Sequence, residues 1–138
     1  MSIEWNDTFI VGIDELDQQH RSIVEHFTTF SQAVQDGSGK EILAEMAAFL
    51  ADYAQLHFVT EERYMQMYDY PRIEEQRREH EDFTRDAREL RNRIDEEGAS
   101  RELAVALTGK MVRWVIQHIR NHDRAMAIYV KERMAASK

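Results

Sequence analysis

The chain has 138 residues, enough for one domain with a real core and too few for two ordinary ones. It contains no Cys, which excludes disulfide scaffolds and thiolate metal sites and fits a reducing, cytoplasmic compartment. Its net charge of −8 argues against nucleic acid and anionic lipid as partners.

No uninterrupted apolar run approaches the roughly 20 residues of a membrane helix. The stretch from Met1 to Asp7 carries Glu4 and Asp7 without a basic cluster, so no signal peptide is expected. One Pro and five Gly leave few breakers, and long helices are favoured.

Residues 1–15 read as an irregular arm, with Trp5, Phe9, Ile10, Val11 and Ile13 around Gly12. Its aromatics are expected to pack on the body, with Trp5 as a core plug. A first helix is predicted from Leu16 to Gln35, stopped by Gly37. Its stripe is Leu16, His20, Ile23, Phe27, Phe30 and Val34, in alternating steps of four and three.

A second helix is predicted from Lys40 to Met67, with Leu43, Met46, Leu50, Tyr53, His57, Thr60 or Glu61, and Tyr64 on its buried face. His57 and Glu61 stand four residues apart, one turn above each other. Tyr70-Pro71 breaks the chain, and Pro71 suits the first turn of the helix that follows.

The third helix is predicted from Arg72 to Glu96, ending at Gly98. Its stripe is Ile73, Gln76, His80, Phe83, Ala87, Leu90 and Ile94. Glu74–Arg78, Glu81–Arg85 and Glu89–Arg93 are spaced to pair along a solvated face.

The fourth helix is predicted from a Ser100 N-cap to Met134, through Leu103, Leu107, Met111, Trp114 and His118. Beyond His118 the phase divides. A straight α-helix continues through His122, Ala125 and Tyr129. A one-residue slip gives Asp123, Met126, Val130 and Met134, the more apolar set, and a π-type turn would produce it. Four long helices with short connections imply an all-α, antiparallel up-down-up-down four-helix bundle.

The polar residues on predicted core faces are His20, His57, Glu61, Gln76, His80 and His118, with Asp123 or His122. One buried histidine is usually a hydrogen-bonded structural residue. Four, one per helix and joined by carboxylates, would destabilise a bundle unless a cation offset their burial. Imidazole and carboxylate donors suit Fe, Mn or Zn. Six or seven donors exceed what one tetrahedral zinc needs, and carboxylates shared between helices suit two metals.

The string runs Trp5, Val11-Gly12-Ile13-Asp14, Asp17-Gln18-Gln19-His20, His57-Phe58-Val59-Thr60-Glu61-Glu62 and Tyr70-Pro71. It continues through His80-Glu81-Asp82-Phe83, Trp114, His118-Ile119 and Asp123. Taken together it resembles the bacterial hemerythrins over nearly the whole chain. The resemblance implies one hemerythrin-like domain over residues 1–138, with a carboxylate-bridged, non-haem di-iron centre that binds O2. It implies one iron held by His20 and His57, bridges from Glu61 and Asp123, and a second iron held by His80, His118 and one further histidine. Phe58, Trp114, Val115 and Ile119 would line a dry ligand pocket. It also favours Asp123 over His122, leaving His122 beside the site or at the surface.

The chain departs from the family pattern at Gln76, which stands four residues before His80 where a histidine is expected. Glu75 and Glu79 lie off that face. Gln76 could be a weak oxygen ligand, could hydrogen-bond a group at the metal, or could leave a position open, in which case one iron rather than two is retained. The expected function is O2 binding for storage, delivery or sensing, with O2 or a small anion at iron, in a monomer served by an unidentified redox partner. The alternatives are a redox enzyme acting on peroxide, O2 or nitric oxide, and a degenerate mononuclear-metal bundle. Outside the ligand set no general acid or base is evident, which favours binding over catalysis.

Overall fold

A computed structural model of the chain describes residues 3–136. Met1 and Ser2 of the predicted arm lie outside the described residues. A single 3-10 turn at Asp7–Phe9 precedes helices α1 (Asp14–Gln35), α2 (Gly39–Met67), α3 (Ile73–Glu97) and α4 (Arg101–Gln117). A π-helical turn at His118–Asp123 leads into α5 (Arg124–Ala136), so the fourth bundle element is α4, the π turn and α5 in succession. α2 packs against α1 and α3, and α4 closes the bundle against all three.

The apolar stripes build the core. Leu16, Ile23, Phe27 and Phe30 of α1 meet Leu43, Met46 and Leu50 of α2, Phe83 of α3, and Leu103, Leu107 and Met111 of α4. The outer ends of the stripes, Val34, Tyr64, Ile73, Leu90 and Ile94, are only half-buried and seal the core rather than fill it.

The short connections have local causes. Gly37 takes φ +85°, the left-handed value that ends α1 without a Cβ clash. Ser100 caps α4 by accepting a hydrogen bond from the Leu103 N–H at 3.1 Å. Pro71 sits in the turn before α3 rather than inside its first turn, since α3 starts at Ile73.

The charged face of α3 pairs differently from its expected spacing. Arg85 reaches Asp82 at 3.0 Å and Arg93 reaches Glu97 at 3.1 Å, because donors of this length select whichever carboxylate is within one turn. These are exposed pairs of small energetic weight.

The arm is anchored by polar contacts as well as by buried Phe9. The Asp17 carboxylate accepts from the Val11 and Gly12 N–H groups at 2.7 and 3.1 Å. Gly12 has φ +92°, and a Cβ there would lie 2.5 Å from Lys131 Nζ. Trp5 is not a core plug. It is half-buried, stacked on Phe9 at 5.6 Å with Arg21 over its ring, and Ile3 and Phe9 fill the core position instead.

By length and mean hydropathy α2 is long and apolar enough to cross a membrane, contrary to the expectation from uninterrupted runs. The averaging passes over the polar breaks. In addition, Leu56, Val59 and Met67 are exposed on this helix, so it is apolar on more than its core face. Its inner face is filled by the bundle and carries buried His57 and Glu61.

Candidate metal centre

Seven polar side chains meet in the bundle interior. α1 supplies His20, α2 His57 and Glu61, α3 Gln76 and His80, α4 leads into His118, and the π turn ends on Asp123. All seven are at most 4 % exposed. The π turn adds one residue to the helical circuit, so His118 and Asp123 share the inner face five positions apart. The slipped phase therefore holds, and Met126 and Val130 follow it into the core.

His122, the residue of the straight phase, lies outside the cluster. Its Nε2 is 2.8 Å from Glu79 and its Nδ1 3.6 Å from Glu75, with its ring stacked on His118. Glu75 and Glu79 thus face His122 and do not take the place of an imidazole at Gln76.

The donor atoms fall into two groups that share Glu61. One holds His20, His57, Glu61 and Asp123, the other Glu61, His80 and His118, with the ligand atoms of each group within 4.8 Å of one another. Asp123 joins them as well: Oδ2 lies 2.9 Å from His20 Nε2 and 3.6 Å from His57 Nε2, while Oδ1 lies 3.0 Å from His118 Nε2. Glu61 Oε1 faces His57 Nε2 at 2.6 Å, His80 Nε2 at 3.5 Å and His118 Nε2 at 3.8 Å.

Proximity is not hydrogen bonding here. His57 Nε2, both Glu61 oxygens, His80 Nε2 and His118 Nε2 are buried without a hydrogen-bond partner. Buried polar atoms are nearly always satisfied, and leaving five convergent ones bare costs several kcal/mol, on the order of 1–3 each. Five lone-pair donors aimed at common points, with no bonds among them, fit a cation. Imidazole nitrogen with carboxylate oxygen suits iron, manganese or zinc.

Three of the rings are held from outside the cluster. Gln19 Oε1 lies 2.6 Å from His57 Nδ1, and Gln19 Nε2 donates to Thr60 Oγ1 at 3.1 Å. A carbonyl oxygen only accepts, so Nδ1 carries a proton, and the neutral ring keeps its Nε2 lone pair for the interior. Tyr53 stacks on the same ring at 5.0 Å. Phe58 stacks on His80 at 3.9 Å and Trp114 on His118 at 4.4 Å.

Gln76 joins the cluster through its amide nitrogen, which donates to Asp123 Oδ1 at 3.2 Å. A carboxylate can only accept, so the amide nitrogen, not its oxygen, faces Asp123. The Gln76 Oε1 is left buried and without a partner.

The electrostatics without metal reinforce this picture. Burial alone would pull His57 down, but the nearby negative charges of Glu61 and Asp123 push it up to about 9. His118 is likewise depressed by burial and then raised to about 10, chiefly by the charge of Asp123. Burial and the Asp123 charge favour protonated Glu61, yet His57 and His118 hold it down at about 2. Asp123, despite its burial, is held well below the usual carboxylate range by His118 and His20. Protons on imidazole thus fill, in the metal-free protein, the role a cation would take.

Of the residues expected to line a ligand pocket, Val115 and Ile119 are buried, and Phe58 and Trp114 meet edge to face at 6.1 Å beside His80 and His118. Gln19 was not anticipated from the sequence. It lies off the stripe, and only its neighbour His20 hinted that the position mattered. Tyr53 was visible as a stripe residue four before His57, but not as a ring support.

Known proteins are similar to this chain in sequence. Residues 11–127 match the family described as Hemerythrin, the hemerythrin HHE cation binding domain. A bacteriohemerythrin of Stenotrophomonas maltophilia is 34% identical over 130 residues, covering 92% of this chain and 80% of that protein. Bacteriohemerythrins of Pseudomonas paraeruginosa and Pseudomonas aeruginosa are each 33% identical over 131 residues, covering 95% of this chain and 83% of theirs.

Proposed function

This chain belongs to the hemerythrin family, and on that premise we propose that it is a non-haem di-iron protein that binds O2 for storage, delivery or sensing. The observation that carries the reading is the set of buried, unpartnered nitrogen and oxygen atoms in two groups with Glu61 in common. His20 and His57 would hold one iron, and His80 and His118 the other. Glu61 and Asp123 each face both groups and would bridge them. Iron in this setting would supply the electrons for reversible O2 binding, which no side chain here can provide.

The protein's own part is to orient and to keep dry. Gln19 fixes the His57 tautomer, and the Gln76 N–H steadies Asp123. Phe58, Trp114, Val115 and Ile119 would exclude water around the ligand. O2 or a small anion is the ligand class this pocket suits.

A second reading is supported by Gln76. With an amide where the family pattern has an imidazole, its metal position keeps two histidines, and Gln76 Oε1 is a free buried acceptor beside it. Redox turnover of peroxide, O2 or nitric oxide would use that position. Anaerobic iron(II)-loaded protein, exposed to O2 and then purged, separates the two. Reversible absorbance change supports binding, one-way oxidation with sustained peroxide consumption supports turnover, and a spectrum indifferent to O2 overturns both.

A further inference from the structure

The four histidines of the cluster differ at the nitrogen that faces away from it. His20 and His118 have no partner at Nδ1, and His57 has the neutral Gln19 amide. Among the described residues, His80 alone of the four has a carboxylate there: Glu62 Oε2 lies 3.6 Å from its Nδ1. That nitrogen is buried and without a hydrogen bond, while Nε2 on the opposite edge faces Glu61 at 3.5 Å.

Glu62 is itself held. The Arg77 Nε donates to its Oε1 at 3.1 Å, and the Arg77 guanidinium is tied at its other end to Glu74. This leaves Oε2 facing His80. Glu62 and Arg77 are 29 % and 35 % exposed and border the groove between α2 and α3, whose floor includes Phe58, Ala54 and Ala87. The present separation is longer than a hydrogen bond, and a part-exposed carboxylate has room to turn the remaining distance. Phe58, stacked flat on the imidazole, fixes the ring plane so that one edge faces inward and the other toward Glu62.

Resting on the metal-binding reading above, we propose that Glu62, held by Arg77, is the positioning carboxylate for His80. It accepts from Nδ1–H, fixes the tautomer that leaves Nε2 free for metal, and strengthens the donor at the position where Gln76 replaces an imidazole. A carboxylate behind a ligating imidazole raises its basicity, and removing such a partner weakens metal retention by about 10–100-fold. The charge is applied to one side of the centre only, since His57, on the other side, is backed by an uncharged amide. This asymmetry offsets part of what the site loses at Gln76.

The test uses the full chain, 15N-labelled, metal-free and zinc-loaded, with imidazole ring-nitrogen correlation spectra as the readout. The proposal expects the proton of His80 on Nδ1, and a shift of the His80 ring nitrogens in Glu62→Ala with those of His57 unmoved. Glu62→Gln keeps an acceptor without the charge and is expected to lie between Glu62→Ala and the unaltered protein. Arg77→Gln, which frees Glu62 without removing it, is expected to move His80 in the same direction by less. In competition with a chelator, the more weakly held zinc of Glu62→Ala should be lost about 10–100-fold more readily, and the tighter one unchanged. His80 ring signals identical in Glu62→Ala and unaltered protein, or a proton on Nε2, would overturn the proposal. Fewer than two zinc ions in the unaltered chain would instead count against the two-metal reading, while the His80 spectra still decide the role of Glu62.

Discussion

The Nδ1 of His57 and the Oε1 of Gln19 lie 2.6 Å apart, joining α1 to α2 just outside the metal cluster. One amide from a residue off the apolar stripe thereby decides which imidazole nitrogen is available inside. Gln19 is in turn tied to Thr60, whose hydroxyl donates to the Leu56 carbonyl at 2.8 Å, so the orienting group is itself oriented.

Gln19→Leu should therefore weaken metal binding at the His20–His57 position by about 10–100-fold while leaving the helical fold in place. In the metal-free protein it leaves the His57 Nδ1–H without an acceptor, at a cost of about 1–3 kcal/mol. Chelator competition and urea unfolding of the two forms measure these separately. Unchanged affinity in the variant would remove Gln19 from the account.

Stability against pH follows from the proton-filled cluster. His57 and His118 are raised to about 9 and about 10, so their contribution is complete below the ordinary histidine value near 6.5 and is lost as pH rises through 9 to 10. Glu61 is lowered to about 2 and Asp123 is lowered as well, so theirs is present above the ordinary carboxylate range and is lost as pH falls toward 2. Metal-free protein should be most resistant to urea between about pH 4.5 and 6.5. Metal-loaded protein should not show the alkaline decline, because metal replaces the imidazole protons. Denaturation midpoints against pH, with and without chelator, test both statements.

Gln76 can be changed in two directions. Gln76→His restores a third imidazole on the His80–His118 side and should slow metal loss to a chelator, with fewer exchangeable ligand positions. Gln76→Leu deletes the N–H that Asp123 Oδ1 accepts and should cost about 1–3 kcal/mol in the metal-free state. If Gln76→His binds metal no more tightly than the unaltered chain, the amide is not standing in a ligand position.

Removal of metal should lower the melting temperature. A cation that binds only the folded state adds about 2.7 kcal/mol when present at a hundredfold over its dissociation constant. Calorimetry before and after chelation checks this, and equal melting temperatures would point to a cluster that is satisfied by protons alone.

Much of this site was legible in the sequence because helices write their inner face at intervals of three and four. His20, His57, His80 and His118 each interrupt an otherwise apolar stripe, and the structure brings all four together. The choice between His122 and Asp123 is carried by the residues after them, since the apolar Met126 and Val130 fall on the inner face only in the slipped phase. What the stripe cannot show is anything one residue to its side. Gln19 and Glu62 neighbour His20 and Glu61 in the chain, and their roles depend on how adjacent helices are rotated, which periodicity leaves open. Trp5 was misjudged for a related reason: an irregular arm has no period, so size and apolarity favoured Trp5 while Phe9 and Ile3 took the buried positions. The ion pairs on α3 followed local rotamers rather than ideal spacing.

Iron per chain, measured by elemental analysis on protein purified with iron supplied, decides whether the cluster holds two metals. About two irons are expected, one for each group of donors that shares Glu61. About one iron would contradict the two-metal centre and leave the side next to Gln76 without a retained metal, and none would reduce the likeness to hemerythrins to fold alone.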